Sequence, residues 1–147
     1  MTHKNPWLIT GGFLSAAASL IHLGCIVQGP VWYRLFGAPE GLIRGVESGD
    51  PTLHWMTAGI AAILAIWSAY AFAGAGLIRH LPLMRTALVA ISAVYLARGL
   101  LIVPVLLQQN PAQFDIWSSL IVLVYGSVYA IGTARAWPAQ SHKESIA

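Results

Sequence analysis

The segment from Met84 to Gln108 reads MRTALVAISAVYLARGLLIVPVLLQ, with Arg85 and Arg98 as its charged side chains. It is long enough to cross the hydrocarbon core of a bilayer, which takes about 20 predominantly apolar residues in a helix. Arg85 stands at its start, whereas Arg98 stands well inside it. The segment therefore predicts a membrane-spanning helix with an ionisable group inside the membrane.

The rest of the chain has the same apolar character. Of its 147 residues 57% are hydrophobic and 9% are charged, with a mean hydropathy of +0.69, whereas soluble domains carry about 25% charged residues. Four spans are predicted, at 7–28, 54–78, 84–108 and 115–137, and the breaks between them contain prolines: Gly29-Pro30, Asp50-Pro51, Pro82 and Asn110-Pro111. We expect an all-α fold, an antiparallel four-helix transmembrane bundle forming one domain over residues 1–147. An outer loop at 29–53 and a flexible tail at 138–147 complete it.

The basic residues predict the orientation of the spans. If four spans alternate, one side of the membrane holds Lys4, Arg79, Arg85, Arg135 and Lys143, and the other holds Arg34 and Arg44 among acidic residues. Because Lys and Arg concentrate on the cytoplasmic side, both termini are expected there. The apolar run continues past the small residues Ala16 to Ala18, so we expect no cleaved signal peptide.

The outer loop contains one amphipathic segment. Leu42, Ile43 and Val46 have helical spacing, and Pro39 stands early in the segment. This pattern predicts a short interfacial helix in the first outer loop. It is either a membrane-surface anchor or a lid over a binding site.

Arg98 is the strongest indication of a site. It follows Met84 by fourteen residues, which places it roughly 21 Å from the inner surface at about 1.5 Å per residue. A central arginine costs about 2.5–3.5 kcal/mol on insertion scales, so it should face the bundle interior or water and have partners. Its planar guanidinium suits a carboxylate or a phosphate.

Two interpretations of this arginine stay open. In the structural one, Arg98 extends toward the interface or pairs with Asp115 or Glu40, while His22 and the serines bond backbone carbonyls. In the functional one, an outward-opening polar pocket binds an anionic amphiphile or lipid. The predicted ligand-binding residues are Arg98, His22, Tyr95, His54, Ser118, Ser119, Asp115 and Glu40.

Other chemistries are alternatives to this binding function. His22 and His54 could ligate haem, or a metal together with Cys25, in a membrane redox protein. Small residues of the second span could form a dimer face in a homo-oligomeric transporter. Scattered basic residues argue against nucleic acid as a partner. Common catalytic motifs are missing from the sequence, which favours a protein that is not an enzyme.

Two short runs carry a resemblance to a known group. Residues Gly29 to Ala38, with the order GPVWYRLFGA, and residues Val94 to Leu100, with VYLARGL, resemble small four-helix inner-membrane proteins of Gram-negative bacteria. The layout is similar to the DoxX-like group, in which an aromatic, proline-containing segment follows the first of four helices. The resemblance implies a fold and a location in the bacterial inner membrane. It implies no particular activity.

Overall fold

A computed structural model describes the backbone of residues 4–144 and the side chains of residues 4–137. Within these residues every secondary-structure element is a helix, and no strand is formed. The helices are α1 (Pro6–Gln28), α2 (Pro30–Leu35), α3 (Glu40–Glu47), α4 (Thr52–Gly74), α5 (Met84–Leu100), α6 (Ile102–Leu106) and α7 (Gln113–Glu144).

The predicted fold class is confirmed. In the part of the chain that the structure describes, four helical stretches are long and apolar enough to cross a membrane: Pro6–Gln28, Thr52–Gly74, Met84–Leu106 and Gln113–Trp137. The helical backbone of α7 continues beyond the fourth of these stretches to Glu144. The contacts group the chain into two compact units, where the sequence predicts one domain. The first unit comprises the chain up to Leu14 and from Trp67 onward, and the second comprises Ser15–Ile66.

The second span ends earlier than the sequence predicts, at Gly74 instead of residue 78. Gly76 has a φ of 78°, and the amides of Gly76 and Leu77 donate to the carbonyls of Ala73 and Phe72. This is a Schellman motif, in which a left-handed residue turns the chain away from the helix axis. The apolar residues that follow are therefore outside the helix, although their hydropathy resembles that of the span.

The third span is divided into α5 and α6, where the sequence predicts one helix. Pro104 lies in α6, four residues after the end of α5 at Leu100. A proline has no amide hydrogen to donate to the carbonyl four residues earlier, and its ring clashes with that carbonyl. The regular helix accordingly ends at Leu100, close to Arg98.

The outer loop forms two short helices, α2 and α3, instead of the single predicted one. Helix α3 covers the predicted amphipathic segment, and Ile43 is fully buried on its inner face. A buried cluster joins Ile43 to Cys25, Tyr33 and Leu53, with Leu42 and Val46 packed against it. On the outside, Arg34 of α2 pairs with Glu47 at 2.7 Å and with Glu40 at 3.7 Å. The apolar face of α3 is thus packed on protein.

At the predicted cytoplasmic end of the first unit, two sets of side-chain contacts hold the helix ends together. The Asn5 side chain accepts the amide hydrogens of Trp7 and Leu8 and donates to the Gly132 carbonyl at 2.7 Å. The guanidinium of Arg85 lies 3.9 Å from the Trp137 ring centroid. Such cation–π contacts hold arginine heads at the level where tryptophan is enriched in membrane proteins.

Helices α5 and α7 approach each other very closely through two glycines. A Cβ atom on Gly99 would lie 2.6 Å from the Leu123 Cα, and one on Gly126 would lie 2.8 Å from the Leu96 amide nitrogen. Both distances are shorter than van der Waals contact, so no other residue fits without moving the backbone. Small residues at such crossings let membrane helices pack backbone to backbone.

We expect Gly99→Ala to lower stability, because the added methyl group meets the backbone of α7 and the helices must separate. Overpacking of this kind costs about 1–3 kcal/mol. Thermal unfolding in maltoside micelles, followed by circular dichroism, measures the change. Gly59→Ala is the matched control: nothing lies within 4 Å of its added Cβ, and alanine is favoured over glycine in helices by up to about 1 kcal/mol. Equal stability of the two variants would contradict the close crossing.

Candidate functional site

Arg98 lies in the last turn of α5, and its guanidinium reaches the start of α7. It donates from Nη1 to Ser119 Oγ at 3.1 Å and from Nη2 to Ser118 Oγ at 3.4 Å. The Ser118 hydroxyl donates in turn to the Asp115 carbonyl at 3.3 Å. The structure therefore brings together four of the predicted residues, with Asp115 taking part through its backbone.

The glycine crossing explains this arrangement. Gly99 packs on Leu123, and Ser119 precedes Leu123 by one turn on the same side of α7. Arg98 is adjacent to Gly99, so its side chain emerges at the edge of the crossing instead of in its centre. This placement leaves Ser119 buried and Arg98 exposed on the protein surface. The sequence predicts that Arg98 faces the bundle interior or water; in the structure its side chain is exposed and has two serine hydroxyls as partners.

The ion pairs considered from sequence are not formed. Among the described residues, Arg98 has no carboxylate within 4 Å, and Glu40 instead pairs with Arg34. The Asp115 side chain also belongs to no ion pair in this part of the chain. The partners of Arg98 in the described part of the chain are therefore neutral hydroxyl groups, which accept from two of its five N–H donors.

Tyr95 lies one turn before Arg98 and belongs to the packed interior. Its ring contacts Trp67, Tyr125 and Tyr129 at centroid separations of 4.8, 5.6 and 5.3 Å. The Tyr129 hydroxyl donates to the Trp67 carbonyl at 3.2 Å. Mostly edge-to-face contacts of this kind fix the aromatic rings beneath the arginine.

His22 and His54 lie in the second unit. The Nδ1 atom of His22 is 2.7 Å from the Ala18 carbonyl one turn earlier, which is the contact that the structural interpretation expects. Ser19, on the same helix, donates to the Ala61 carbonyl of α4 at 2.8 Å. His54 packs edge to face on Tyr33, with ring centroids 5.5 Å apart.

Beside His54 the second unit contains an open cleft of about 480 Å³. It is lined by Ile26, Val46, Gly49, Asp50, Pro51, His54, Trp55 and Ala58. Of these residues sequence reasoning selected only His54. The Asp50-Pro51 pair, which marks a helix boundary in the sequence, was the one signal that could have pointed to the other lining residues.

Metal-ligating side chains are not grouped in threes anywhere in the described part of the chain. His22, Cys25 and His54 thus form no ready ligand set in this arrangement. The proposed haem and metal functions stay predictions, as does the set of ligand-binding residues.

Two buried tyrosines differ in a way that can be tested. Tyr33 is 4% exposed, and its hydroxyl has no hydrogen-bond partner among the residues that the structure describes, whereas the hydroxyl of the fully buried Tyr129 donates a hydrogen bond to the Trp67 carbonyl. An unsatisfied buried polar group costs about 1–3 kcal/mol. We therefore expect Tyr33→Phe to raise the thermal stability and Tyr129→Phe to lower it. Loss of stability in both variants would show that Tyr33 has a partner.

No family model, no curated protein and no solved structure matches this chain. The likeness to the DoxX-like group accordingly remains a resemblance in layout and in two short runs. The helices and their composition identify the chain as a small multi-pass α-helical membrane protein with four membrane-spanning helices.

Proposed function

We propose that this chain is a non-enzymatic membrane protein that binds an anionic amphiphile or lipid through Arg98. One observation carries the proposal. The guanidinium lies within the third span, and it donates to two neutral serine hydroxyls, with no carboxylate within 4 Å among the described residues. An ionisable side chain inside a membrane is by default a candidate for function.

The electrostatics favour an anion as the missing partner. Arg98 is eight residues from the end of α6 at Leu106, which corresponds to roughly 12 Å of helix. At that depth a cation surrounded by lipid chains is costly, and a phosphate or carboxylate would compensate its charge. The planar fork of arginine binds both groups with two parallel hydrogen bonds.

The surroundings suit the apolar part of such a ligand. Exposed apolar side chains lie near the arginine in the sequence and on the facing helix: Leu100, Leu101 and Val103 around the junction of α5 and α6, and Trp117, Leu120 and Ile121 on α7. An acyl chain could lie along these residues while its headgroup contacts the guanidinium. Ser118 and Ser119 would then hold Arg98 in position, because their hydroxyls accept from two of its nitrogens.

The first test measures ligand-dependent stability. Purified protein in maltoside micelles is titrated with phosphatidylglycerol and, separately, with oleate, and thermal unfolding is recorded. A ligand that binds only the folded state stabilises it by about 2.7 kcal/mol at 100 times its Kd. We expect at least one of the two ligands to stabilise the wild type in this way and to give no stabilisation in Arg98→Gln. The two titrations distinguish a phosphate headgroup from a free carboxylate.

Arg44→Gln is the matched control for that test. Arg44 is an exposed arginine of the outer loop without an ion pair among the described residues, so the variant removes the same charge elsewhere. It should keep the full ligand-dependent gain. A lower unfolding temperature of Arg98→Gln without ligand, together with no gain in the wild type, would support a purely structural arginine and refute the proposal.

We further propose that the protein lies in a bacterial inner membrane with both termini in the cytoplasm. The distribution of Lys and Arg supports this orientation, and the resemblance to DoxX-like proteins supports this membrane.

Single cysteines test the orientation in a Cys25→Ala background. We expect Ser48→Cys, on the exposed outer loop, to react with a membrane-impermeant maleimide in intact cells. His80→Cys, in the exposed connection between α4 and α5, should react only after the membrane is permeabilised. The reverse labelling pattern would show that both termini lie outside the cytoplasm and would contradict the proposed orientation.

A further inference from the structure

The cleft of the second unit has polar groups at one end and apolar walls along its length. Asp50 and Pro51 precede α4, and Ala58 lies in its second turn. From Thr52 to Ala58 the helix rises roughly 9 Å. Ile26 and Val46 add apolar walls from α1 and α3. The cleft volume of about 480 Å³ falls within the range of small-molecule sites, about 300–1,000 Å³.

Asp50 gives this cleft a negative charge without a positive partner. Its Oδ1 atom accepts from the Thr52 amide and hydroxyl, which is an Asx turn, and these bonds hold the pKa of its carboxyl below the usual value. Among the described residues Asp50 forms no ion pair, and Arg34 is already engaged by Glu40 and Glu47. The second oxygen, Oδ2, is therefore available to a cation.

The aromatic residue at the same end favours the same kind of ligand. Trp55 lines the cleft and is 74% exposed, so its ring is accessible. A carboxylate beside an open tryptophan ring is the combination that recognises ammonium groups, because both attract a cation. His54 completes this end, with its ring oriented by the edge-to-face contact with Tyr33.

We infer that this cleft binds a single-chain amphiphile whose headgroup is an ammonium cation. The ammonium group lies between Asp50 and Trp55, and the chain follows the apolar walls toward Ala58. A cleft of this size accommodates one chain better than the two chains of a phospholipid. The site is independent of Arg98, whose ligand has the opposite charge.

The test uses octyltrimethylammonium as the probe and the full-length chain in maltoside micelles. Equilibrium dialysis with labelled probe measures binding, after subtraction of its partitioning into empty micelles. We expect saturable binding at one site and no competition by octanoate, which has the opposite charge. Equal displacement by octanoate, or binding that never saturates, would overturn the inference.

Two variants and one control locate the probe. Asp50→Asn keeps an oxygen for the Asx turn and removes the charge, and it should weaken binding about tenfold, as expected when one close charge–charge attraction near the protein surface is lost. Trp55→Leu should weaken it several-fold by removing the cation–π contact. Glu47→Gln removes a charge from the same loop outside the cleft and should leave the affinity unchanged. Unchanged affinity in Asp50→Asn would overturn the inference.

A competition experiment distinguishes the two sources of an ammonium headgroup. Phosphatidylcholine added to the micelles should displace the probe poorly, because its two chains exceed the cleft. Full displacement at stoichiometric phosphatidylcholine would assign the cleft to a lipid headgroup and overturn the assignment to a single-chain amphiphile.

Discussion

The close approach of α5 and α7 is the constraint on which the first unit depends. Gly99 and Gly126 each face the backbone of the opposite helix, so the two helices are in contact without intervening side chains. This contact determines which residues of α7 stand beside the end of α5. It also explains how Ser119 can be buried while its hydroxyl still accepts from Arg98. In a membrane, where lipid is as apolar as leucine, such packing replaces the hydrophobic effect as the main source of helix association.

The same geometry gives Arg98 its unusual environment. The regular helix ends at Leu100, one turn before Pro104. Arg98 lies at the edge of the crossing between α5 and α7. Neutral hydroxyl groups fix the direction of the guanidinium, and no carboxylate in the described chain neutralises it. A structural arginine would be expected to have its charge compensated within the protein. This environment is the basis of our proposal that Arg98 binds an external anion.

The second unit is organised around the outer loop. Helices α2 and α3 cover a small buried cluster that contains Tyr33 and Ile43, and surface ion pairs of Arg34 join the two helices. Gly49, with a φ of 93°, ends α3 and turns the chain so that Asp50 precedes α4. Asp50 is one of the residues that line the open cleft. Exposed surface pairs contribute little stability, so burial of Ile43 and its neighbours holds this cover in place.

The sequence alone determines the number of spans, the helical class and the position of an arginine within the third span. These properties depend on local composition, since about 20 apolar residues suffice to specify a span. The predicted helix ends are wrong where a single residue stops the helix although the neighbouring residues are apolar: Gly76 ends α4 early, and Pro104 divides the third span. Only the tertiary structure decides that Arg98 meets Ser118 and Ser119 instead of Asp115 or Glu40, and that Asp50 borders a cleft. Such contacts depend on how each helix is rotated and on the distance between the helices. Two glycines set the distance between α5 and α7, and no local sequence pattern specifies it.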